Sequence, residues 1–388
     1  MEYKLEDLFD LQMGKTPARK NPDYWNADDY KWISIGDLSN SGKYINETKE
    51  YLSEKAVTES GINLIPANTV VMSFKLSIGK TAITAEPMYS NEAIMSFRDK
   101  KIVDLLPDYT YYMLSAHDWD GGTNKAVMGK TLNKATLSKV KVHIHSLKEQ
   151  QEIVRVLDKV SGIVSLRNQE LQRLDDLIKA RFVELFGNPV INDKAWDYEL
   201  LGNLTTKIGS GATPKGGSDS YKSEGISLIR SMNVHNGYFE YKNLAHISDE
   251  QASRLNNVIV EDKDVLLNIT GASVARSCVV PKDVLPARVN QHVCIIRCKD
   301  YIVPEFLNHL FTDDNYQELL FGIAGSGATR EAITKQQVQN LRIIMPPVNL
   351  QFQFLNFVAQ VDKSKLAIQK SLEETQLLFD SLMQKYFG

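Results

Sequence analysis

The sequence predicts an α+β chain: two similar strand-rich heads with short helices, separated by two long helices packed as an antiparallel coiled coil, in a pseudo-twofold internal repeat. Three observations carry this expectation. The chain repeats itself once, with Thr131-Leu132-Asn133-Lys134 over Ala332-Ile333-Thr334-Lys335 and Phe186-Gly187 over Phe387-Gly388, both at an offset of 201 without a gap. Each repeat begins with short apolar runs punctuated by Gly, Asn, Asp and Pro, the texture of strands and turns. Each repeat ends in a helical block whose apolar residues recur in steps of three and four.

The elements follow in chain order. Residues 1–145 form the first head, where Thr69-Val70-Val71-Met72 is a strand-like run, Val140 to Ile144 alternates with a strand's period of two, and Asp108–His117 is helical. Residues 146–187 form a central spacer helix. It opens on Ser146-Leu147-Lys148-Glu149, a capping box with Ser as N-cap and Glu three residues on. Residues 188–346 form the second head, with Val265-Leu266-Leu267 as a strand, Pro304–Phe311 as a helix, and Leu341 to Met345 alternating less cleanly. Residues 347–388 form the C-terminal spacer helix, preceded by Pro346 and opening on Pro347.

In the first spacer helix the seam is Leu157, Val160, Val164, Leu171, Leu174, Ile178 and Leu185, interrupted by Arg167 and Arg181. In the second it is Val358, Val361, Leu372, Phe379 and Tyr386, with Ile368 and Leu382 in the places of the two arginines and Lys365 and Thr375 replacing Val164 and Leu174. Heptad-like seams predict helices packed on each other. The plainer alternative is two amphipathic helices, each covering its own head. Charge is balanced in both, seven basic against seven acidic residues in 147–187 and four against four in 348–388, so these are solvated rods rather than phosphate tracks. Residues 160–186 as one helix would span about 40 Å, and Gly162 is expected to weaken the helix start. In the heads the offset drifts from 197 (Pro17 to Pro214, Tyr24 to Tyr221) through 195 (Gly42 to Gly237) to 199 (Asn91 to Asn290). Loops that change length beside helices that do not suggest adaptable heads on a constant spacer.

A chain of 388 residues, 43% hydrophobic and 24% charged, is long enough for two to three domains with full cores. It has no run of 18 apolar residues, so no membrane span is expected. Met1 to Asp10 alternates in charge without an apolar stretch, so no secretory signal is expected. Cys278, Cys294 and Cys298 are too few and too odd for a disulfide framework or a zinc set, which predicts structural thiols and a cytoplasmic location. The net charge of −3, taken alone, weighs against nucleic-acid binding unless Lys and Arg gather on one face.

Catalytic motifs are missing. Met345-Pro346-Pro347-Val348 lacks both the amide and the aromatic of an adenine methyltransferase loop. Gly79-Lys80-Thr81 and Gly14-Lys15-Thr16 end like P-loops, but the first glycine would fall at Phe74 and Phe9. Gly209-Ser210-Gly211 has Pro214 where a third glycine belongs. Pro22-Asp23 with Glu47-Thr48-Lys49 is a nuclease-like start without metal geometry, and His143 and His145 share a strand face without a third ligand.

The order of small motifs is more telling. The first repeat has Gly14-Lys15-Thr16-Pro17, Tyr24-Trp25 and Trp32-Ile33-Ser34-Ile35-Gly36-Asp37-Leu38. The second has Gly211-Ala212-Thr213-Pro214, Tyr221 and Leu228-Ile229-Arg230-Ser231-Met232-Asn233-Val234, then Leu267-Asn268-Ile269-Thr270-Gly271-Ala272-Ser273 and Asn290-Gln291-His292. Leu147 to Asp158 completes the pattern. Over the whole chain these residues resemble the specificity subunit of type I restriction–modification systems. The first repeat departs at Ser73 to Lys80, and Asn91-Glu92-Ala93 stands where the second has Asn-Gln-His, so the two heads should read different sequences. The resemblance implies a DNA-recognition subunit that is no enzyme and carries no cofactor. It implies docking of two modification subunits, which bind S-adenosylmethionine and methylate adenine, and of restriction subunits in the same assembly.

Base readout needs donors and acceptors at groove edges, Arg for guanine and Asn or Gln for adenine, with phosphate contacts fixing position. The candidates in the first head are Lys15, Thr16, Arg19, Lys20, Lys75, Ser77, Lys80, Lys130 and Asn133; in the second they are Thr213, Lys215, Arg230, Asn233, Thr270, Ser273, Arg276 and Arg330. Gly14, Gly211, Pro17 and Pro214 are expected to make turns. The expected target is double-stranded DNA with two short half-sites and an unread gap of about half a turn. The rival readings are a two-headed scaffold for proteins rather than DNA, and a methyltransferase or nuclease without recognisable motifs.

Overall fold

The computed structural model describes residues 1–388 apart from 26–27, 76, 120–132 and 326–330. The chain divides into two compact units, residues 1–168 with 369–388, and residues 169–368. The division falls inside both long helices, so each unit holds one head and half of each helix.

The two heads share their central strand pairings and differ at the sheet edges. The first has a sheet ordered Phe9–Met13, Ile94–Asp99, Val70–Ser73, Thr81–Thr84, Tyr44–Ile45, and a smaller sheet ordered Glu50–Leu52, Tyr30–Ile33, Tyr89–Ser90. The second has a sheet ordered Thr205–Ser210, Val293–Cys298, Val265–Asn268, Ser277–Val279, and another ordered Ala245–Ile247, Ile226–Ile229, Ala287–Val289, Ile259–Val260. In the second-named sheet of each head the same pairing is parallel: Tyr30–Ile33 with Tyr89–Ser90, and Ile226–Ile229 with Ala287–Val289. All four residues of Val70–Ser73 and of Val265–Asn268 are buried. A strand covered on both faces shows a continuous apolar run instead of alternation, which is the pattern of Thr69–Met72 and Val265–Leu267. A two-stranded ladder brackets each head, Glu2–Lys4 with Lys141–His143 and Tyr198–Leu200 with Arg342–Ile344.

The short helices Pro107–Ala116 and Pro304–Thr312 both begin with proline, where a missing N–H costs nothing and the fixed φ suits the first turn. Their apolar faces enter the head cores, Tyr109, Tyr112, Met113 and Leu114 in the first and Phe306, Leu307, Leu310 and Phe311 in the second.

The long helices run Leu147–Phe186 and Val348–Phe387, 40 residues each, or roughly 60 Å at 1.5 Å per residue. The capping box forms: Ser146 donates its N–H and hydroxyl to the Glu149 carboxylate at 2.9 and 2.6 Å, and the Glu149 N–H donates to Ser146 Oγ at 3.4 Å. The first rod fills the expected 146–187 to within a residue at each end, and Gly162 lies within it without a break. One glycine among good helix formers costs about 1 kcal/mol, too little to interrupt a helix packed at both ends.

Within each unit the two helix halves run antiparallel. In the first, Ile153 and Leu157 share a core with Phe379, Leu382, Met383 and Tyr386, and the Arg167 guanidinium donates to the Ser371 carbonyl and the Thr375 hydroxyl. In the second, Phe182 and Phe354 lie 5.5 Å apart edge-to-face, and Lys365 donates to Asp175 at 2.5 Å. Leu157, Val160, Val358 and Val361 are buried. Val164, Leu171, Leu174, Ile178, Leu185, Ile368, Leu372, Phe379, Leu382 and Tyr386 are half-buried. Each helix half also packs on its head, through Leu157 and Ile153 in one unit and Phe182 and Phe186 in the other.

Candidate nucleic-acid interface

Each head gathers three loops at one place. In the first they are 14–20, which leaves strand Phe9–Met13; the described part of the connection from strand Val70–Ser73 to strand Thr81–Thr84; and 91–93, which leads into strand Ile94–Asp99. The Gly14 N–H donates to the Ile94 carbonyl at 3.1 Å and the Lys15 N–H to the Ser90 carbonyl at 2.8 Å, while the Phe74 N–H donates to the Ala93 carbonyl at 3.0 Å. In the second head the Gly211 N–H donates to the Asn290 carbonyl at 3.0 Å and the Ile269 N–H to the His292 carbonyl at 2.9 Å.

The glycines explain the first contact. A Cβ on Gly14 would lie 2.2 Å from the Ser90 carbonyl oxygen, and one on Gly211 would lie 1.8 Å from that of Val289. Neither has a positive φ. They are required by backbone close approach rather than by a turn, which corrects the expectation for both.

Side chains then tie the loops. Asn91 Oδ1 accepts the Ala93 N–H at 2.7 Å, and Asn290 Oδ1 accepts the His292 N–H at 3.0 Å. The Thr16 hydroxyl donates to the Glu92 carboxylate and accepts from Asn91 Nδ2 at 3.2 Å. The Thr213 hydroxyl donates to Gln291 Oε1 at 2.5 Å, and the Thr270 hydroxyl meets His292 Nδ1. Glu92, Gln291 and His292 were not among the candidates, although the Asn-Glu-Ala and Asn-Gln-His motifs marked their positions.

The hairpin loops match more closely than their sequences. The Ser73 N–H donates to the Lys80 carbonyl and the Gly79 N–H to the Ser73 carbonyl, both at 2.9 Å. In the second head the Asn268 N–H donates to the Arg276 carbonyl at 2.8 Å and the Ala275 N–H to the Asn268 carbonyl at 2.9 Å. Gly79 and Ala275 both have positive φ, 86° and 70°. Lys80 and Arg276 therefore occupy the same position of the same hairpin, one in each head.

The other candidates divide. Lys20, Lys80 and Lys215 are exposed and make no ion pair among the described residues. Lys15 reaches the Ser60 carbonyl. The Arg19 guanidinium pairs with both Glu50 oxygens, one at 3.1 Å, and stacks 3.9 and 4.7 Å from the Trp25 and Trp32 ring centres. Lys75 is half-buried with its ammonium 5.4 Å from the Phe74 ring centre, and Ser77 is exposed at φ 49°. Arg230 is half-buried, lies 5.3 Å from the Tyr221 ring centre, and donates to the Asn243 carbonyl. Ser273 and Arg276 are half-buried at the hairpin tip. Lys130 and Arg330 lie outside the described residues.

Two candidates are structural. Asn233 has no exposure; its Oδ1 accepts the Arg230 N–H at 3.1 Å and its Nδ2 donates to the Glu240 carbonyl at 2.9 Å. It holds the place of Asp37 in the first head, whose carboxylate accepts the Ser34 and Lys49 N–H groups at 2.9 and 3.2 Å. A fully buried amide with both ends engaged is withdrawn from any ligand. Asn133 is the N-cap of helix Lys134–Ser138, its Oδ1 accepting the Thr136 N–H at 2.9 Å. Thr334 does the same 201 residues on, so the Asn133 acceptor belongs to the fold.

Among the described residues, no three His, Cys, Asp or Glu side chains are placed to hold a metal. His145 Nδ1 instead meets the Tyr109 hydroxyl at 2.7 Å. Burial pushes the thiols of Cys278, Cys294 and Cys298 up to about 12, so they stay protonated and unreactive. The loop clusters offer hydrogen-bond donors, acceptors and fixed positive charge, the equipment of recognition.

The chain matches the model of the type I restriction modification DNA specificity domain twice, over residues 1–176 and 194–376. It is 23% identical to the type I restriction enzyme MjaIX specificity subunit of Methanocaldococcus jannaschii, over 98% of this chain and 91% of that one. It is 28% identical to the HindI specificity subunit of Haemophilus influenzae, over 46% and 40%. Among solved structures it is similar to a chain from a study of complex assembly and conformational transition in the type I restriction–modification system (TM-score 0.62, 17% identity, 100% and 97% covered). It is also similar to the type I system S subunit of M. genitalium (TM-score 0.54, 13% identity, 100% and 96% covered). At these identities the structural likeness concerns the fold.

Proposed function

Because the chain belongs to the type I restriction modification DNA specificity family, whose members are non-catalytic recognition subunits, we propose that its two loop clusters each read one half of a bipartite, asymmetric DNA target. The observation that carries this reading is the equivalence of Lys80 and Arg276: a cation at one hairpin position, kept in two heads whose loops have otherwise diverged. Lys20 and Lys215 add exposed positive charge on the Thr-Pro segments of the two heads. A net charge of −3 is compatible with this, because phosphate contact depends on local charge.

On this reading the length of the two continuous helices sets the unread gap between half-sites. Two modification subunits dock on the chain, bind S-adenosylmethionine themselves and methylate adenine in the target, and restriction subunits join the assembly. The chain would then work in the cytoplasm, with the DNA; none of its described helices is long and apolar enough to cross a membrane.

The test is the salt dependence of duplex binding by the full chain with its modification subunits. Affinity should fall steeply with salt, and Lys80→Ala and Arg276→Ala should each reduce the log–log slope by roughly 1 if they contact phosphate. Salt-insensitive affinity for a protein partner, with no DNA binding, would favour the scaffold reading instead.

A further inference from the structure

We propose that Glu92 and Gln291 are specificity-determining side chains, each selecting the identity of one base in its half-site; the assignment rests on the DNA reading above. They occupy one position in the repeated site. Each follows an asparagine that closes the turn (Asn91, Asn290), each precedes the residue whose carbonyl pins the hairpin loop (Ala93, His292), and each accepts the hydroxyl proton of the Thr-Pro loop (Thr16, Thr213). Both are exposed where the three loops meet. The threonines are positioning residues: each engages one side-chain oxygen.

The chemistry of the two groups differs. A carboxylate accepts only. In a cluster whose loops also carry Lys15, Lys20 and Lys80, the Glu92 carboxylate is repelled by the duplex unless it faces a base amino group. Cytosine N4 is the major-groove donor that suits it; adenine presents its N6 donor only beside the N7 acceptor, and the O6 and N7 of guanine and the O4 of thymine repel it. Gln291 both donates and accepts. Its Nε2 lies 3.0 Å from His292 Nε2. Taking that ring nitrogen as acceptor places the imidazole proton on Nδ1, facing the Thr270 hydroxyl, a tautomer assigned from the network. One amide N–H and one oxygen lone pair of Gln291 remain, the complement of adenine N7 and N6. Glu92 thus selects cytosine and Gln291 selects adenine.

The exchange Glu92→Gln and its reciprocal Gln291→Glu test this. The full chain carrying each variant is co-expressed with its modification subunit in a host without other adenine methylation, and methylated sites are mapped by sequencing. E92Q should turn one cytosine of one half-site to adenine, and Q291E one adenine of the other to cytosine. All other positions should stay unchanged, with the preference at each altered position moving by roughly 5- to 150-fold. Glu92→Ala should relax that same single position to any base, a localised effect that misfolding does not produce. The assignment is overturned if variants that melt like the wild type keep its motif base for base, or lose methylation at every site. A wild-type chain yielding no bipartite motif would instead defeat the DNA reading itself.

Discussion

Gln150 is fully buried, and its side-chain oxygen accepts the backbone N–H of Leu106 at 3.1 Å. Its Nε2 donates to the carbonyls of Asp104 and His145 at 2.8 and 3.0 Å. Gln351, 201 residues on and equally buried, accepts the Val303 N–H at 2.9 Å and donates to the Pro346 carbonyl at 2.9 Å. One buried amide therefore fastens the first turn of each long helix to the segment that opens its head's proline-led helix. Replacing Gln351 by alanine strands buried backbone groups without partners, at about 1–3 kcal/mol for each unpaired group, and replacing Gln150 strands part-buried ones at a smaller cost. Gln150→Ala and Gln351→Ala should each lower the melting temperature by several degrees. Gln151→Ala, one residue away and exposed, should leave it unchanged. Equal melting of all three by calorimetry would refute the role.

Gly162 predicts the opposite sign. It is exposed within the helix, and a Cβ there would meet nothing within 4 Å. Gly162→Ala should stabilise the chain by about 1 kcal/mol, read as a higher urea midpoint at unchanged slope.

A charged cluster in the first unit predicts a pH dependence. The Lys43 ammonium lies 2.5 Å from both Asp108 and Asp158, the Tyr44 hydroxyl donates to Asp108 at 2.8 Å, and the Tyr112 hydroxyl donates to Asp158 at 2.6 Å. Burial opposes the Asp108 charge, but the bonds from Lys43 and Tyr44 outweigh it and hold the carboxyl below its ordinary value of 3.8. Its contribution is present above that pH and is lost as pH falls further. Burial, then the bond to Asp108, pushes the Tyr44 hydroxyl from 10.0 up to about 12. That contribution is full below pH 10 and is lost as pH rises through about 12. The stability gap between wild type and Asp108→Asn should narrow at both extremes in urea titrations; a gap flat from acid to alkali would contradict the cluster's role.

What could be read in the sequence was whatever leaves a local trace. The long helices were legible because Leu157 through Leu185 keep their spacing and Ser146 with Glu149 form a cap. Val70–Ser73 and Val265–Asn268 were legible because strands buried on both faces are short and continuously apolar. The position of Lys80 opposite Arg276 was not, because the offset drifts and only hairpin hydrogen bonds align Gly79 with Ala275. Asn233 misled because a polar residue in a presumed loop gives no sign of complete burial. Gln150 and Gln351 escaped notice, because their role depends on the backbone N–H groups of Leu106 and Val303, 44 and 48 residues away in sequence. Gly14 and Gly211 were correctly marked as special, yet the reason, a neighbouring carbonyl too close for any side chain, is a tertiary fact.

The central claim is that the two loop clusters read separate half-sites. It is tested most directly by mapping methylated sites after residues 1–145 are replaced with the corresponding head of a homologue of different specificity. The account predicts one half-site rewritten, with the other half-site and the gap retained. A map in which both half-sites change together, or neither does, would contradict it.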